Sequence, residues 1–220
     1  MENKRIYMEN KEKINRLKAL FPLFTEDLHI DVWQPDGRFR WFLASILFGA
    51  RISERIAANT YRAFLKAGLD SPDKILAAGW NDLVRVLDEG GYVRYDFSTA
   101  TKLLSIMRDL KERYGLLEEL RRQSADAKVL GQKLQEFKGI GPVTAQIFLR
   151  ELRAPWRINP EISSRALEMA KCIDLDLTDL EGEELSRVET ALVKLSLRYC
   201  KRKRCSECAA TDFCREAADK

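Results

Sequence analysis

The sequence has no apolar run long enough to cross a membrane. Its longest, from Trp41 to Ala50, falls well short of the roughly 20 residues that a spanning helix needs, so no membrane partner is expected. The polar start Met1-Glu2-Asn3-Lys4 lacks a secretory pattern, and a cytoplasmic location follows as the expectation. Histidine is almost missing, and the only one, His29, is expected to be structural or exposed rather than catalytic. No strand-like alternation, internal repeat or low-complexity tract is visible. The net charge over 220 residues is only +4, so the choice of partner has to be read from where the charges cluster.

What is present is helical spacing, nearly from end to end. Ile14, Leu17, Leu20 and Phe21 mark a first amphipathic helix that Pro22 ends, behind a polar arm expected to be disordered. Residues 31–38 read as turn chemistry leading into a strongly apolar helix over 39–48. Ser53 is placed to cap a helix that stops at Gly68, Ser71-Pro72 to start one that stops at Gly79, and Asn81 to cap the next, closed by Gly90-Gly91. A longer stripe runs through Phe97, Ala100, Leu103, Leu104, Met107 and Leu110, and another through Val129, Leu130, Leu134 and Phe137. Residues 156–161 break the rhythm, which resumes over 162–170. After the acidic stretch 174–184, expected as a solvated loop and helix start, Leu185, Val188, Leu192, Leu195 and Tyr199 share a face that delivers Cys200 to the helix end. The fold class is all-α.

One short stretch organises the rest: Glu136-Phe137-Lys138-Gly139-Ile140-Gly141-Pro142-Val143-Thr144-Ala145. Two glycines around one apolar residue allow a tight turn, and Pro142 falls where a new helix begins, since its missing N–H costs nothing there. The pattern is a helix-hairpin-helix. Its exposed N–H groups and the positive end of the second helix suit a nucleic-acid phosphate, with Lys138, Gly139, Ile140, Gly141, Val143 and Thr144 as the candidate contacts. A plain turn joining two core helices is the ordinary alternative.

The second marker is the cysteine pattern. Of five cysteines, Cys172 stands apart as an expected core residue, while Cys200, Cys205, Cys208 and Cys214 form a C-x4-C-x2-C-x5-C run. In a reducing compartment such clustering argues for metal ligation over disulfides. The spacing admits zinc or an iron–sulfur cluster, and a compact single run favours the cluster over two separated zinc knuckles. The first interval is Lys201-Arg202-Lys203-Arg204, four cations tethered between two candidate ligands and suited to phosphate.

A hairpin followed by a four-cysteine loop resembles the endonuclease III branch of the helix-hairpin-helix DNA glycosylases, over about 41–214. Leu47-Phe48-Gly49-Ala50-Arg51 sits where that family carries a Leu-Leu-Ser-Ala-Gln-like segment, Gly90-Gly91-Tyr92 lies near its Gly-Leu/Phe-Tyr, and the cysteines match in number, order and the last two intervals. The resemblance implies two all-α lobes: a six-helix domain over 32–155 ending in the hairpin, and a second lobe of 1–31 with 156–220 carrying a [4Fe–4S] cluster, or zinc. It also implies a monomer, nucleoid-associated if prokaryotic, that bends double-stranded DNA and draws a damaged or mispaired nucleotide from the stack, with Arg51 filling the vacated space.

Both positions that carry the family's chemistry are altered. Val143 stands where bifunctional members place a lysine nucleophile, so lysine-dependent strand cleavage is not expected. Asn159 stands where an aspartate is usual, and an amide supplies neither charge nor a proton acceptor. Glu161 is the nearest substitute, with Asp96 a more distant one. Trp33, Trp41, Tyr92, Tyr95 and Trp156 are candidates for an aromatic pocket suited to cationic alkylated bases. The expected function is therefore base excision repair by a monofunctional glycosylase; the alternative is a catalytically inactive relative that recognises damaged or distorted DNA.

Overall fold

The computed structural model of the chain describes residues 2–214, with side chains from Tyr7 onward. Every regular element among these residues is helical, and no helix is long and apolar enough to cross a membrane. The chain divides into two compact units, one spanning Leu28–Leu149 and the other formed by the residues through Asp27 together with those from Arg150 onward.

The discontinuous unit contains α1 (Glu2–Leu20) and α2 (Phe24–Asp27) from the N-terminal side of the chain. The polar arm before Ile14 thus belongs to the first helix and is not the irregular lead-in expected from its composition. The middle unit is built from α3 (Pro35–Phe48), α4 (Glu54–Lys66), α5 (Pro72–Glu89), α6 (Asp96–Arg113), α7 (Leu117–Arg122), α8 (Ala127–Gln135) and α9 (Pro142–Arg150), the last residue of which opens the other unit. That unit continues with α10 (Arg153–Trp156), α11 (Ser164–Cys172), α12 (Gly182–Arg198) and single 3₁₀ turns at Cys200–Arg202, Cys205–Glu207 and Thr211–Phe213.

In the middle unit α3 is buried on most of its faces, as the apolar run over 41–48 requires, and the one polar side chain in that run, Ser45, donates to the Trp41 carbonyl at 2.7 Å. It starts at Pro35, so Pro-Asp-Gly-Arg forms its first turn and not a separate reverse turn. Gly37 is required there, because a Cβ would stand 1.7 Å from the Asp31 carbonyl oxygen. Phe42 packs edge-on against Phe137 and Phe148, with ring centroids at 6.4 and 5.1 Å, which ties α3 to both sides of the hairpin. Ser53 caps α4 by accepting from the Ile56 N–H at 3.2 Å, and Ser71 does the same for α5 through the Lys74 N–H. At Gly79 the backbone leaves helical geometry at φ 72°, so α5 is two helices meeting at the break that the glycine predicts.

In the discontinuous unit α12 is the central element, and α1, α10 and α11 pack on it. Ile14, Leu17, Phe21, Met169, Ile173, Val188 and Leu192 fill the core between them. Charged groups are buried here too. Glu151 accepts from the Phe24 and Thr25 N–H groups at 3.0 and 2.9 Å, capping α2, and from the Thr190 hydroxyl at 3.0 Å. Lys194 donates to Asp27 at 2.6 Å and to the Pro22 carbonyl, while burial pulls its pKa below the usual lysine range.

Candidate nucleic-acid interface, carboxylate cavity and thiol loop

The hairpin lies in the middle unit. Phe137 and Ile140 are its buried anchors, 0% and 4% exposed, and the Ile140 N–H donates to the Phe137 carbonyl at 3.0 Å to close the turn. Gly139 adopts φ 97°, a left-handed conformation that a side chain would strain. The first ladder bond of α9 is Ala145 N–H to Gly141 O at 3.0 Å, so the N–H groups of Gly141, Val143 and Thr144 stand ahead of it. Lys138 is exposed, and Val143 is 61% exposed. Ile140 and Thr144 are both buried, at 4% and 6% exposed.

Thr144 is covered because the end of α3 passes over it. A Cβ on Gly49 would lie 2.0 Å from Thr144 Oγ1, so only glycine lets the two elements approach this closely. Two residues beyond Gly49, Arg51 is exposed on the connection to α4, without a partner among the described residues. The Gly90-Gly91-Tyr92 turn arrives at the same end of α3, where the Tyr92 hydroxyl donates to the Leu47 carbonyl at 3.0 Å. Segments 47–51, 90–92 and 138–144, distant in sequence, are thus assembled around one helix end.

Of the candidate pocket aromatics in the middle unit, Trp41 and Tyr92 are core residues. Trp41 is fully buried and donates its indole N–H to the Phe148 carbonyl at 3.0 Å, Tyr92 is 1% exposed, and Trp33 is largely exposed. Tyr92 is an inward-facing strut whose ionisation burial pushes well above the usual tyrosine range. Asp96 opens α6 and accepts from the Phe97 N–H at 2.7 Å. Asp88 is held above the ordinary carboxylate range by loss of solvent and by the Asp96 carboxyl beside it.

In the discontinuous unit, Asn159 and Glu161 line one cavity of about 560 Å³, over an apolar floor that includes Ile162, Leu175 and Leu177, with Lys171 and Asp176 at its polar edge. The segment that carries them is held from behind by buried charge. Arg153, 0% exposed, donates to the Pro160 carbonyl at 3.0 Å and pairs with Glu189 at 2.8 Å, while Glu189 accepts from the Ser163 N–H at 2.9 Å. The Ile158 N–H closes onto the Arg153 carbonyl at 3.0 Å after Arg157 turns through φ 49°. Asn159 and Glu161 are exposed, on a segment whose backbone is hydrogen-bonded at Ile158, Pro160 and Ser163. This frame was not legible in the sequence, where nothing distinguishes Arg153 and Glu189 from surface charges.

Cys200 and Cys205 open the first two 3₁₀ turns after α12, Cys208 and Cys214 directly follow the second and third, and all four are half-buried. Among the described residues no three His, Cys, Asp or Glu side chains are gathered so that they could hold a metal ion. The donor set nevertheless suits a thiophilic centre in kind and number. Burial pushes the Cys208 thiol up, the Ala210 N–H donating to its sulfur pulls it down, and the charges of Cys214 and Cys205 push it up again. Thr211 Oγ1 lies 2.9 and 2.7 Å from the Cys205 and Cys208 carbonyl oxygens and fixes the loop. Cys200 Sγ is 3.7 Å from Met169 Sδ.

The basic interval is unequal. Arg204 pairs side-on with Glu207, with Nε at 2.8 Å, so its charge is already answered. Lys201, Arg202 and Lys203 are exposed with no partner among the described residues, and Lys203 turns the chain through φ 55°. No protein-family model matches the chain, and no curated protein matches its sequence at a significant level.

Proposed function

We propose that this protein binds duplex DNA and acts in base excision repair as a monofunctional DNA glycosylase of the helix-hairpin-helix type. The observation that carries the reading is the assembly around one helix end of the Arg51 connection and the hairpin, where Gly49 meets Thr144 and three N–H groups precede the first bond of α9. Donors of this kind, flanked by Lys138, grip a phosphate. Arg51, long and without a partner among the described residues, enters the gap left by an extruded nucleotide. Lys201, Arg202 and Lys203 take further phosphates, and Arg204 joins them when its pair with Glu207 opens.

Cys200, Cys205, Cys208 and Cys214 would hold a [4Fe–4S] cluster, with zinc the alternative occupant. Either group would cross-link the three 3₁₀ turns and so fix the basic interval in place. The chemistry of base release falls to this chain's own side chains. Val143 has no lone pair, so no Schiff base forms and the strand is not cut by that route. Glu161 supplies the carboxylate that offsets developing positive charge on the sugar and takes a proton from the attacking water, and Asn159 orients that water by hydrogen bonding.

A second reading is favoured by the neutrality of both altered positions, Val143 and Asn159. In it the protein recognises damaged or distorted DNA without releasing a base. The two separate when purified protein is incubated with duplexes carrying uracil, oxidised pyrimidines, oxoguanine mispairs or alkylpurines. Abasic sites that form with wild type and disappear with Glu161→Gln support catalysis, whereas tight binding with no base release on any substrate leaves the recognition reading.

A further inference from the structure

Lys102 on α6 is absent from every motif discussed above, yet its stem lies beside Gly139 of the hairpin. A Cβ built on Gly139 would stand 3.8 Å from Lys102 Cβ, 2.7 Å from Cγ and 2.3 Å from Cδ. The stem therefore runs toward the glycine and reaches its closest approach two bonds short of the ammonium. Gly139 is thus required twice, once for its φ of 97° and once to leave room for this stem.

The environment of Lys102 is unusual for a lysine. It is half-buried, and no hydrogen bond or ion pair is made to it among the described residues. Loss of solvent is the one cause acting on its titration, and it lowers the pKa. The acid nearest in sequence to the turn, Glu136, is taken by Arg113. Of the other buried cations, Arg38, Arg153 and Lys194 are answered by Glu118, Glu189 and Asp27, while Arg150 has no acid paired with it among the described residues. A cation kept partly out of water without a counter-charge is destabilised until an anion arrives.

We propose that Lys102 is the cationic half of the hairpin's phosphate site, its ammonium closing on the phosphodiester that the N–H groups of the turn receive. This rests on the reading that the hairpin holds duplex DNA and adds a contact from a separate helix. The stem stiffened against Gly139 gives up less conformational freedom on binding than an exposed lysine such as Lys138.

Lys102→Met keeps the apolar stem and removes only the charge. Binding of an undamaged duplex oligonucleotide is measured from low to moderate salt for wild type, Lys102→Met, Lys102→Arg and Lys138→Met. Lys102→Met is expected to bind about tenfold more weakly with the salt slope reduced by about one phosphate contact, while Lys102→Arg keeps the slope. A merely structural lysine is separated by urea denaturation, in which Lys102→Met is expected to be at least as stable as wild type. In parallel, reductive ¹³C-methylation reports the titration of Lys102, which is expected to move upward when duplex is added. If wild type binds duplex well and Lys102→Met leaves affinity and slope unchanged, the Lys102 assignment is overturned while the hairpin reading stands. If wild type and Lys138→Met both fail to bind duplex, the hairpin reading and this proposal fall together.

Discussion

The hairpin at 137–144 and the thiol loop at 200–214 both present cations beside tight turns, but they are held by opposite means. Phe137 and Ile140 are sunk in a core that also contains Phe42 and Phe148. In the loop Ala210 is the one buried residue, and its shape comes from 3₁₀ turns and the Thr211 hydroxyl. Apolar burial fixes the first with no help from a ligand. The second has too little buried surface to do the same, and on the proposed reading a centre held by its thiols supplies the missing order.

The largest effect that can break this comparison comes from the thiols. In Cys208→Ser, bound metal is expected to fall below stoichiometry. Trypsin should then cut after Lys201–Lys203 about tenfold faster or more, while amide exchange in the hairpin stays unchanged. Equal protection of the loop in metal-free wild type would show that its turns suffice alone.

Next comes the buried pair behind Glu161. Arg153→Met should cost about 3–5 kcal/mol by leaving Glu189 charged and alone, and the double substitution with Glu189→Met should recover much of this. Urea melts of the three variants measure the coupling, and additive losses would mean the pair acts only by packing.

Gly49→Ala is expected to be milder, about 1–3 kcal/mol, because the new methyl meets Thr144 Oγ1. Adding Thr144→Ala should relieve part of the loss, and the same pair should restore part of the DNA affinity if the two segments form one surface. The smallest effect belongs to Glu207→Gln. Glu207 is held below the ordinary carboxylate range by its hydrogen bonds to Arg204, so in wild type the pair opens only as pH falls through that lowered value. Removing the carboxylate frees Arg204 at neutral pH, strengthening duplex binding by less than about fivefold with a steeper salt slope.

Much of the helical order was legible because its signals are local. Serines at 53 and 71 and glycines at 68, 79 and 139 act through their own backbone, and they do in the structure what their chemistry predicts. The start of α3 was misread, since Pro-Asp-Gly serves a turn and a helix opening equally well and only the Asp31 carbonyl against Gly37 decides. The short α7 offers just two buried positions, Leu117 and Leu120, too few for a periodic pattern. Phe97 fits the apolar stripe of α6 yet is 60% exposed, because it sits in the first turn and pairs with Trp80. Trp41 and Tyr92 looked like pocket aromatics and are core, each hydrogen-bonded to a carbonyl. In the candidate site the motifs themselves stood out. What supports them did not, since Lys102, Arg153 and Glu189 gain their meaning from partners far along the chain.

Lys203 carries a consequence of a different kind. It bends the basic interval through a left-handed conformation in which glycine would be at ease and a side chain is strained by about 1–2 kcal/mol. Lys203→Gly should therefore firm the loop while weakening the duplex binding proposed for it, moving two measurements in opposite directions. Few positions let one substitution tell apart what a residue contributes to standing still and what it contributes to reaching out.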